Sequence, residues 1–345
     1  MNDMTFVKRL SALAVLAFLV AAPAVVYPLL LMKIMCFALF ASAFNLLFGF
    51  AGLLSFGHAV LFGGAGYITG LMVRDLGFPL EIGLLAGVLG AGVVGFVMGI
   101  FAIRREGIYF TMITLALAQM AYFLFVHWSF TGGEDGMQNI PRGSVLGIIS
   151  LRSDLSTYYV VLGICALGYG AILRIVNSPF GRVLAAIKGN EARAVSLGYD
   201  VSHFKLLAFV LSAMLSGLAG STKALVLGFE TLNDVHWSTS GLVVLMTLVG
   251  GVGTFVGPVI GAILIVGLED QLGSIGDWLA NNTHVEWFRT LGDSASIVIG
   301  LIFILCVLTF RSGIAGEMIA LGKRWRRQWT SRGNNEALDG VRKLG

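Results

Sequence analysis

One polar stretch with several charged side chains, 177–200, lies between two long hydrophobic segments. Pro179 stands near its start, where a helix tolerates the missing N–H of proline. Apolar residues then recur on roughly one helical face: Val183, Ile187 and Ala194, with Ala186 and Val195 beside them. Four charged side chains point elsewhere: Arg182, Lys188, Glu191 and Arg193. A short amphipathic helix held between hydrophobic segments predicts binding to a partner outside the membrane.

Catalytic or ligand-binding motifs do not accompany this stretch. The sequence has no Ser-His-Asp arrangement, no paired carboxylates inside an apolar span and no His-Glu-x-x-His pattern. Residues 316–323 look superficially like a phosphate-binding loop, but the glycine spacing is one residue too long and Arg324 stands where Ser or Thr is required. We therefore predict no enzyme, no metal site and no cofactor. If ATP drives this protein, another subunit binds it.

Composition places the chain in a membrane. Of its 345 residues 57% are hydrophobic and only 12% are charged, with a mean hydropathy of +0.87, whereas soluble domains average about 25% charged residues. Hydrophobic stretches recur at the length of about 20 residues that crosses a bilayer. The sequence predicts an all-α polytopic transmembrane helical bundle, one domain over 1–322, followed by a basic tail over 323–345. The spans are expected at about 10–28, 32–50, 52–72, 80–102, 108–129, 157–175, 203–228, 238–268 (interrupted) and 294–310.

The charges between the spans predict the orientation. The linker 174–205 and the tail from Arg311 are rich in lysine and arginine, whereas 269–293 holds five acidic residues and one arginine. Because positive loops stay in the cytoplasm, the N-terminus, the linker and the tail are expected inside. The loops 130–156 and 269–293 are expected outside.

Two glycine-rich segments interrupt the apolar pattern. In 45–70 seven glycines are expected to weaken the helix. The segment 238–268 has about thirty residues, too few for two crossings, so we predict a broken or re-entrant pair. Its turn holds these glycines: Gly250, Gly251, Gly253 and Gly257. Irregular backbone survives at membrane depth only where protein or a water-filled cavity covers it, and one interruption in each half is typical of a central translocation site.

Polar residues near the first interruption are the candidates for a translocation pathway: Asn45, Ser55, His58, Thr111 and Thr114. Each also has a purely structural interpretation. His58 could be a neutral histidine bonded to a nearby carbonyl, Asn45 and Ser55 could satisfy the helix break, and the threonines could join helices. Two further features are expected to be structural. Lys223 reaches the interface with its long side chain, and the ridge of Ser212, Ser216 and Gly220 packs against another helix.

Several motifs in a shared order carry a family resemblance. They are Asn45-Leu-Leu-Phe-Gly, Ser55-Phe-Gly-His-Ala, Gly107-Ile-Tyr-Phe-Thr-Met-Ile-Thr-Leu, Gly181-Arg with Ala186-Ile-Lys and Asn190-Glu-Ala, and Gly250-Gly with Gly253-Thr and Gly257-Pro. Over about residues 34–316 the chain resembles the LivM-type permease subunits of bacterial ABC importers for branched-chain amino acids. It departs from their pattern at Leu53, around Arg193 and at the end of the last span after Arg311.

The resemblance implies an importer of branched-chain or related hydrophobic amino acids, working by alternating access in the bacterial inner membrane. Its partners are a second, LivH-like permease, two cytoplasmic ATPases and a periplasmic or lipid-anchored binding protein. The polar stretch then becomes a coupling helix at about 178–198 that contacts the ATPase, and the loops 131–142 and 269–293 receive the binding protein. The coupling residues are Pro179, Gly181, Arg182, Lys188, Asn190, Glu191 and Arg193.

Alternative functions remain open. Within the same importer class the cargo could be urea, a short amide, a sugar or a nucleoside. An ion-coupled secondary transporter also uses broken helices, but it predicts a carboxylate inside a span, and Glu230, Asp234 and Glu269 lie only at span ends. A membrane enzyme is disfavoured by the lack of a catalytic set.

Overall fold

The computed structural model describes residues 20–24, 26–145, 147, 149–283, 295–309 and 313–318. Most of these residues are helical, which confirms the predicted all-α fold. Within the described chain the two strands are β1 (Ser144–Val145) and β2 (Ile149–Ser150), which pair antiparallel. Most of the predicted first span (10–19 and 25), the end of the loop 269–293 and the tail 323–345 lie outside the described residues.

The main helices follow the predicted spans closely. They are α1 (Pro28–Asn45), α2 (His58–Gly70), α3 (Leu80–Ala102), α4 (Ile108–His127), α5 (Asp154–Asn177), α6 (Pro179–Gly189), α7 (Glu191–Ser196), α8 (Val201–Leu227), α9 (Leu232–Val235), α10 (Trp237–Gly250), α11 (Gly257–Thr283) and α12 (Ala295–Thr309). Two π-helical segments, Leu46–Ala51 and Leu71–Asp75, extend α1 and α2. Among the described residues, five helices are long and apolar enough to cross a membrane: Pro28–Ala51, α3, α4, α5 and α8.

The centre of the bundle is α8, which packs against α1, α2 and α3. Small residues let the backbones approach. Gly220 lies so close to the carbonyl group of Phe62 that a Cβ atom has no room, and Gly217 faces Ala65 and Ala91. The ridge that contains Gly220 is buried, as predicted. The outer helices α3, α4 and α5 instead expose large apolar side chains, as lipid-facing helices do.

The first interruption is narrower than predicted. The glycines of 58–70 lie inside a continuous helix, α2, so the helix is not interrupted there. Three of them make room for neighbouring segments: Gly63 meets the backbone of Asp234, Gly66 the carboxyl group of Glu230, and Gly70 the side chain of Met137. The real break covers 46–57, where the π-helical segment ends at Gly52 in the left-handed conformation, with φ 77°.

The second interruption is a pair of helices of unequal length. The 14 residues of α10 span about 21 Å, too little to cross a bilayer. After the turn 251–256, α11 has 27 residues and is about 40 Å long. The predicted break is therefore confirmed. One detail was wrong, because residues 269–283 continue α11 instead of forming a loop.

Candidate functional site

The amphipathic stretch folds as two helices instead of the one predicted. Ser178 caps α6 by accepting a hydrogen bond from the Gly181 N–H at 3.4 Å, and Pro179 occupies the first turn. Asn190 then adopts an extended conformation, φ −161°, which ends α6. Its Oδ1 atom accepts from the Arg193 N–H at 2.9 Å and so caps α7. The chain therefore changes direction at Asn190.

This change of direction alters which residues face the bundle. Leu184, which the sequence interpretation missed, is buried with Ile187 and Ala194. Ala186 and Val195 are exposed, so their predicted place on the apolar face is wrong. The helical phase restarts at Asn190, and for that reason one continuous helical pattern does not fit both halves. The buried face fixes α6 and α7 firmly to the membrane helices.

Two of the four charged side chains are engaged within the chain. Lys188 bends back and donates from Nζ to the carbonyl oxygen of Gly49 at 2.6 Å. Both carboxylate oxygens of Glu191 accept from Lys205 Nζ, each at 2.7 Å, and Lys205 also lies 3.2 Å from Glu106. Hydrogen bonding with Glu191 and with Lys205 holds the pKa of the Glu106 carboxyl below its ordinary value. These pairs join α7 to α8 and to the loop after α3.

The other two charges point into solvent. Arg182 and Arg193 are exposed, and across the described residues neither guanidinium group has a salt bridge or a side-chain hydrogen bond. A guanidinium group offers five donors that suit carboxylates of a protein partner. Of the predicted coupling residues, these two are therefore the ones whose charge is available to another subunit. Their contact with an ATPase stays a prediction.

Asn45 joins the two interrupted segments. Its Nδ2 donates to the Thr254 carbonyl at 2.9 Å, and its Oδ1 accepts from the Gly253 N–H at 2.9 Å. The side chain is almost fully buried. Gly251 and Gly253 have φ values of 121° and 74°, which side chains rarely adopt, and this explains why the turn needs glycine. Asn45 thus satisfies the backbone of a broken segment, the structural one of its two interpretations.

Ser55, Thr111 and Thr114 surround the unwound segment that precedes α2. Thr114 Oγ1 accepts from the Phe56 N–H at 3.2 Å, Thr111 Oγ1 donates to the Leu54 carbonyl at 2.9 Å, and Ser55 Oγ accepts from the Gly57 N–H at 3.1 Å. These side chains satisfy backbone groups that a continuous helix would have paired. The structure therefore brings the predicted pathway residues together around 45–58, where they stabilise the break.

His58 is fully buried at the start of α2. Its Nε2 atom lies 2.9 Å from Ser212 Oγ, and that hydroxyl donates to the Ala43 carbonyl at 2.6 Å. Because a hydroxyl has one hydrogen, Nε2 must carry the proton, and Nδ1 is left as an acceptor without a partner in the described chain. The partner is thus a serine of α8 and not the backbone carbonyl that the structural interpretation expected.

A buried ionic cluster was missed from the sequence. Lys223 does not reach the interface, because its side chain is only 4% exposed and its Nζ lies 3.3 Å from Glu230 Oε1 and 2.5 Å from Asp234 Oδ2. Glu230 is fully buried, and its Oε2 has no hydrogen-bond partner among the described residues. In the sequence the two carboxylates lie at the end of an apolar span, and nothing local indicates that they pair with Lys223.

The loop 131–142 is fastened to this cluster through the backbone. Met137 and Glu230 exchange both backbone hydrogen bonds, at 2.9 and 2.8 Å, and the Ile140 N–H donates to the Gly228 carbonyl at 2.8 Å. Arg142 adds a bond to the Val226 carbonyl at 2.8 Å. The loop therefore forms a fixed surface at the end of α8.

Comparison with known proteins identifies the family. Residues 27–308 match the model of the family described as branched-chain amino acid transport system / permease component. The chain belongs to this family. The resemblance drawn from the motifs is thereby confirmed, and with it a multi-pass membrane protein of the permease type.

The individual curated relatives share only about a quarter to a third of their aligned residues with this chain. The chain is 26% identical over 256 residues to the high-affinity branched-chain amino acid transport system permease protein LivM of Salmonella typhimurium, covering 67% of this chain and 60% of the relative. It is 30% identical over 227 residues to the autoinducer 2 import system permease protein LsrC of Yersinia pseudotuberculosis, covering 60% of each. The chain thus spans about three fifths of the length of these curated relatives. A solved structure, PsaBC from Streptococcus pneumoniae in complex with Fab, aligns with a TM-score of 0.41 at 15% identity, over 89% of this chain and 99% of the other.

Proposed function

We propose that this chain is the membrane-spanning permease subunit of an ATP-driven importer for branched-chain or related hydrophobic amino acids. The observation that carries the proposal is the α6–α7 pair, whose apolar face is buried in the bundle while Arg182 and Arg193 are exposed and have no salt bridge to any described residue. Family membership supports the same role. ATP is hydrolysed by two separate cytoplasmic subunits, so this chain is not itself an enzyme.

The remaining partners follow from the same proposal. A second, LivH-like permease completes the membrane unit, and a periplasmic or lipid-anchored binding protein delivers the cargo. The protein lies in the bacterial inner membrane, with the N-terminus, α6–α7 and the tail in the cytoplasm. The fixed surface of the loop 131–142 supports docking of the binding protein, because a rigid loop loses little conformational entropy on binding.

Mechanically, the buried face of α6–α7 supports rigid-body motion. Leu184 packs in the same cluster as Leu47 and Phe209, so α6 contacts both the α1 extension and α8. The Glu191–Lys205 pair fixes α7 to α8. A displacement of α6–α7 by the ATPases then moves the central helices, since packed interfaces shift as units and do not deform continuously. Alternating access follows from that rocking.

The cargo is the least constrained element of the proposal. Curated relatives of the chain include a permease for branched-chain amino acids and one for autoinducer 2. Urea, short amides, sugars and nucleosides are the other cargoes to be compared. Uptake with the cognate binding protein against a labelled panel decides among them. We expect leucine, isoleucine or valine to be imported at least tenfold faster than urea or a sugar.

An ion-coupled carrier is the second candidate, and the buried Glu230 and Asp234 favour it, because carriers need such a carboxylate. Depleting ATP in vesicles that keep their proton gradient separates the two functions. We expect uptake to stop on ATP depletion and to persist with a protonophore when ATP is supplied. The reverse result would establish the carrier.

Charge reversal at both exposed arginines tests the coupling assignment. We expect Arg182→Glu combined with Arg193→Glu to release the co-purifying ATPase and to lower uptake at least tenfold, because two attractive contacts become repulsive. Arg152→Glu is the matched control, since Arg152 is an exposed arginine of the loop expected on the other side of the membrane. ATPase retention and normal uptake in the double variant would contradict the assignment.

A further inference from the structure

The break in the first helix leaves the carbonyl group of Gly49 without its usual helical hydrogen-bond donor. In a continuous α-helix it would accept from the Leu53 N–H, four residues later. Here the Leu53 N–H bonds to the Leu47 carbonyl at 3.3 Å, six residues back, because the left-handed Gly52 ends the π-helical segment. The acceptor freed in this way is taken by Lys188 of α6, whose Nζ lies 2.6 Å away. A side chain of the amphipathic stretch therefore satisfies the backbone of an interrupted membrane helix.

Glycine is needed twice for this contact. The methylene stem of Lys188 lies over Gly52, with its Cγ only 3.1 Å from the position that a Cβ atom would take. At Gly49 the space for a Cβ atom is filled on the other side by the Asn45 amide and by the Gly253 nitrogen, 2.8 Å away. Lys188 and the turn 251–256 thus lie against the same short piece of backbone.

The chain of contacts continues through Asn45. This residue ends α1 and, as described above, binds both Gly253 and Thr254 in the turn between α10 and α11. The rings of Phe50 and Phe255 add a packed contact, with centroids 5.7 Å apart. Three segments far apart in sequence, 45–52, 188 and 251–256, therefore meet at one place.

The two engaged charges of the amphipathic stretch make different kinds of contact. Glu191 binds Lys205, whose side chain is only 7% exposed, and so joins two regular helices. Lys188 binds a carbonyl group in an irregular segment, and as a residue it is exposed. Lys188 therefore bonds directly to the irregular backbone, whereas Glu191 joins only regular helices.

From these contacts we infer that Lys188 is a positioning residue that passes the movement of α6 to both interrupted segments, through the Gly49 carbonyl and Asn45. The inference rests on the proposed importer function and deepens it, because it assigns Lys188 to transmission and not to ATPase binding. When α6 moves, the ammonium group moves the 46–52 segment, and Asn45 carries the turn 251–256 with it.

The test uses the complete importer in vesicles and two matched substitutions. Lys188→Met keeps the methylene stem over Gly52 but removes the ammonium group, and Lys188→Arg keeps a cationic donor. For Lys188→Met we expect the ATPase to co-purify and to hydrolyse ATP within twofold of wild type, while uptake falls at least tenfold. For Lys188→Arg we expect uptake within threefold of wild type. Normal uptake in Lys188→Met, or loss of the ATPase, would overturn the inference.

Asn45 tests the second step. Asn45→Asp keeps the acceptor for the Gly253 N–H and loses the donor to Thr254, so we expect the same uncoupling, with uptake lowered at least fivefold. Because both residues act in one chain of contacts, the double variant Lys188→Met with Asn45→Asp should be no worse than the more severe single variant. Losses that multiply would show independent effects and would contradict the inference.

A measurement that needs no transport separates this inference from the importer function. Spin labels at the exposed residues Ala186 and Val256 report the distance between α6 and the turn. In the isolated permease we expect Lys188→Met to broaden that distance distribution and Lys188→Arg to leave it unchanged. An unchanged distance distribution in Lys188→Met would contradict the inference even if the importer function holds. The charge reversals at Arg182 and Arg193 test the importer function independently.

Discussion

Lys223→Met is expected to lower the free energy of unfolding by about 3–5 kcal/mol, the cost of leaving buried charges without their partner. The Lys223 ammonium group is the cation that faces Glu230 and Asp234 in the described chain, and those side chains are 0% and 12% exposed. The measurement is the thermal midpoint of the purified protein in detergent. Uptake in cells should fall with the amount of folded protein.

The control removes the charges together. The triple variant Lys223→Met, Glu230→Gln, Asp234→Asn has no buried ion, so we expect it to recover most of the lost stability. Glu230→Gln alone should cost little, since two carboxylates share one ammonium group and Glu230 Oε2 has no partner among the described residues. Asp234→Asn should cost more, because Asp234 Oδ2 also accepts bonds from the Thr231 N–H and hydroxyl group at 3.0 and 2.6 Å. A wild-type midpoint for Lys223→Met would contradict the expected cost of leaving these charges without their partner.

The outer helices could be predicted from sequence almost to the residue. The span expected at 80–102 is Leu80–Ala102, and the one at 108–129 is Ile108–His127. Both are apolar stretches bounded by charged or glycine-containing loops, and local composition decides such boundaries. The lipid-facing side chains of these helices have few tertiary contacts that could override that composition.

The glycine-rich segments could be predicted only in part. A glycine that ends a helix and one that makes room for a neighbouring backbone look alike in sequence. Gly52 belongs to the first kind, with its left-handed φ, and Gly66 to the second, because the Glu230 carboxyl group lies against it. Glu230 is 164 positions further along the chain by its number, so local composition held no signal for that contact.

In the candidate site, too, local features could be predicted from the sequence and long-range contacts could not. Proline, charge and apolar spacing predicted where the amphipathic stretch lies, because these are local signals. The partners of its charges were not local. Lys188 bonds to a carbonyl 139 residues away, and Glu191 bonds to Lys205 on a different helix. An exposed charge and an internally paired one have the same appearance in a single sequence, so two of the four charges that seemed available to a partner are engaged within the chain.

Gly220→Ala is the second large effect that we expect, a loss of about 1–3 kcal/mol of unfolding free energy, in the range of overpacked cores. The added methyl group would overlap the carbonyl group of Phe62, and backbone cannot swing aside as a flexible side chain can. Either α2 or α8 must shift, and the two helices also hold the His58–Ser212 bond. Uptake should therefore fall along with the thermal midpoint.

Gly163→Ala is the matched control for Gly220→Ala, because both glycines lie within long helices that cross the membrane. At Gly163 no atom lies within 4 Å of the position of an added Cβ. Alanine favours helix by about 1 kcal/mol over glycine, so we expect this variant to be neutral or slightly more stable. Equal losses at the two sites would contradict the close approach of α2 and α8. A loss confined to Gly220 would show that contact between two backbones, and not helix propensity, requires glycine at the centre of this permease.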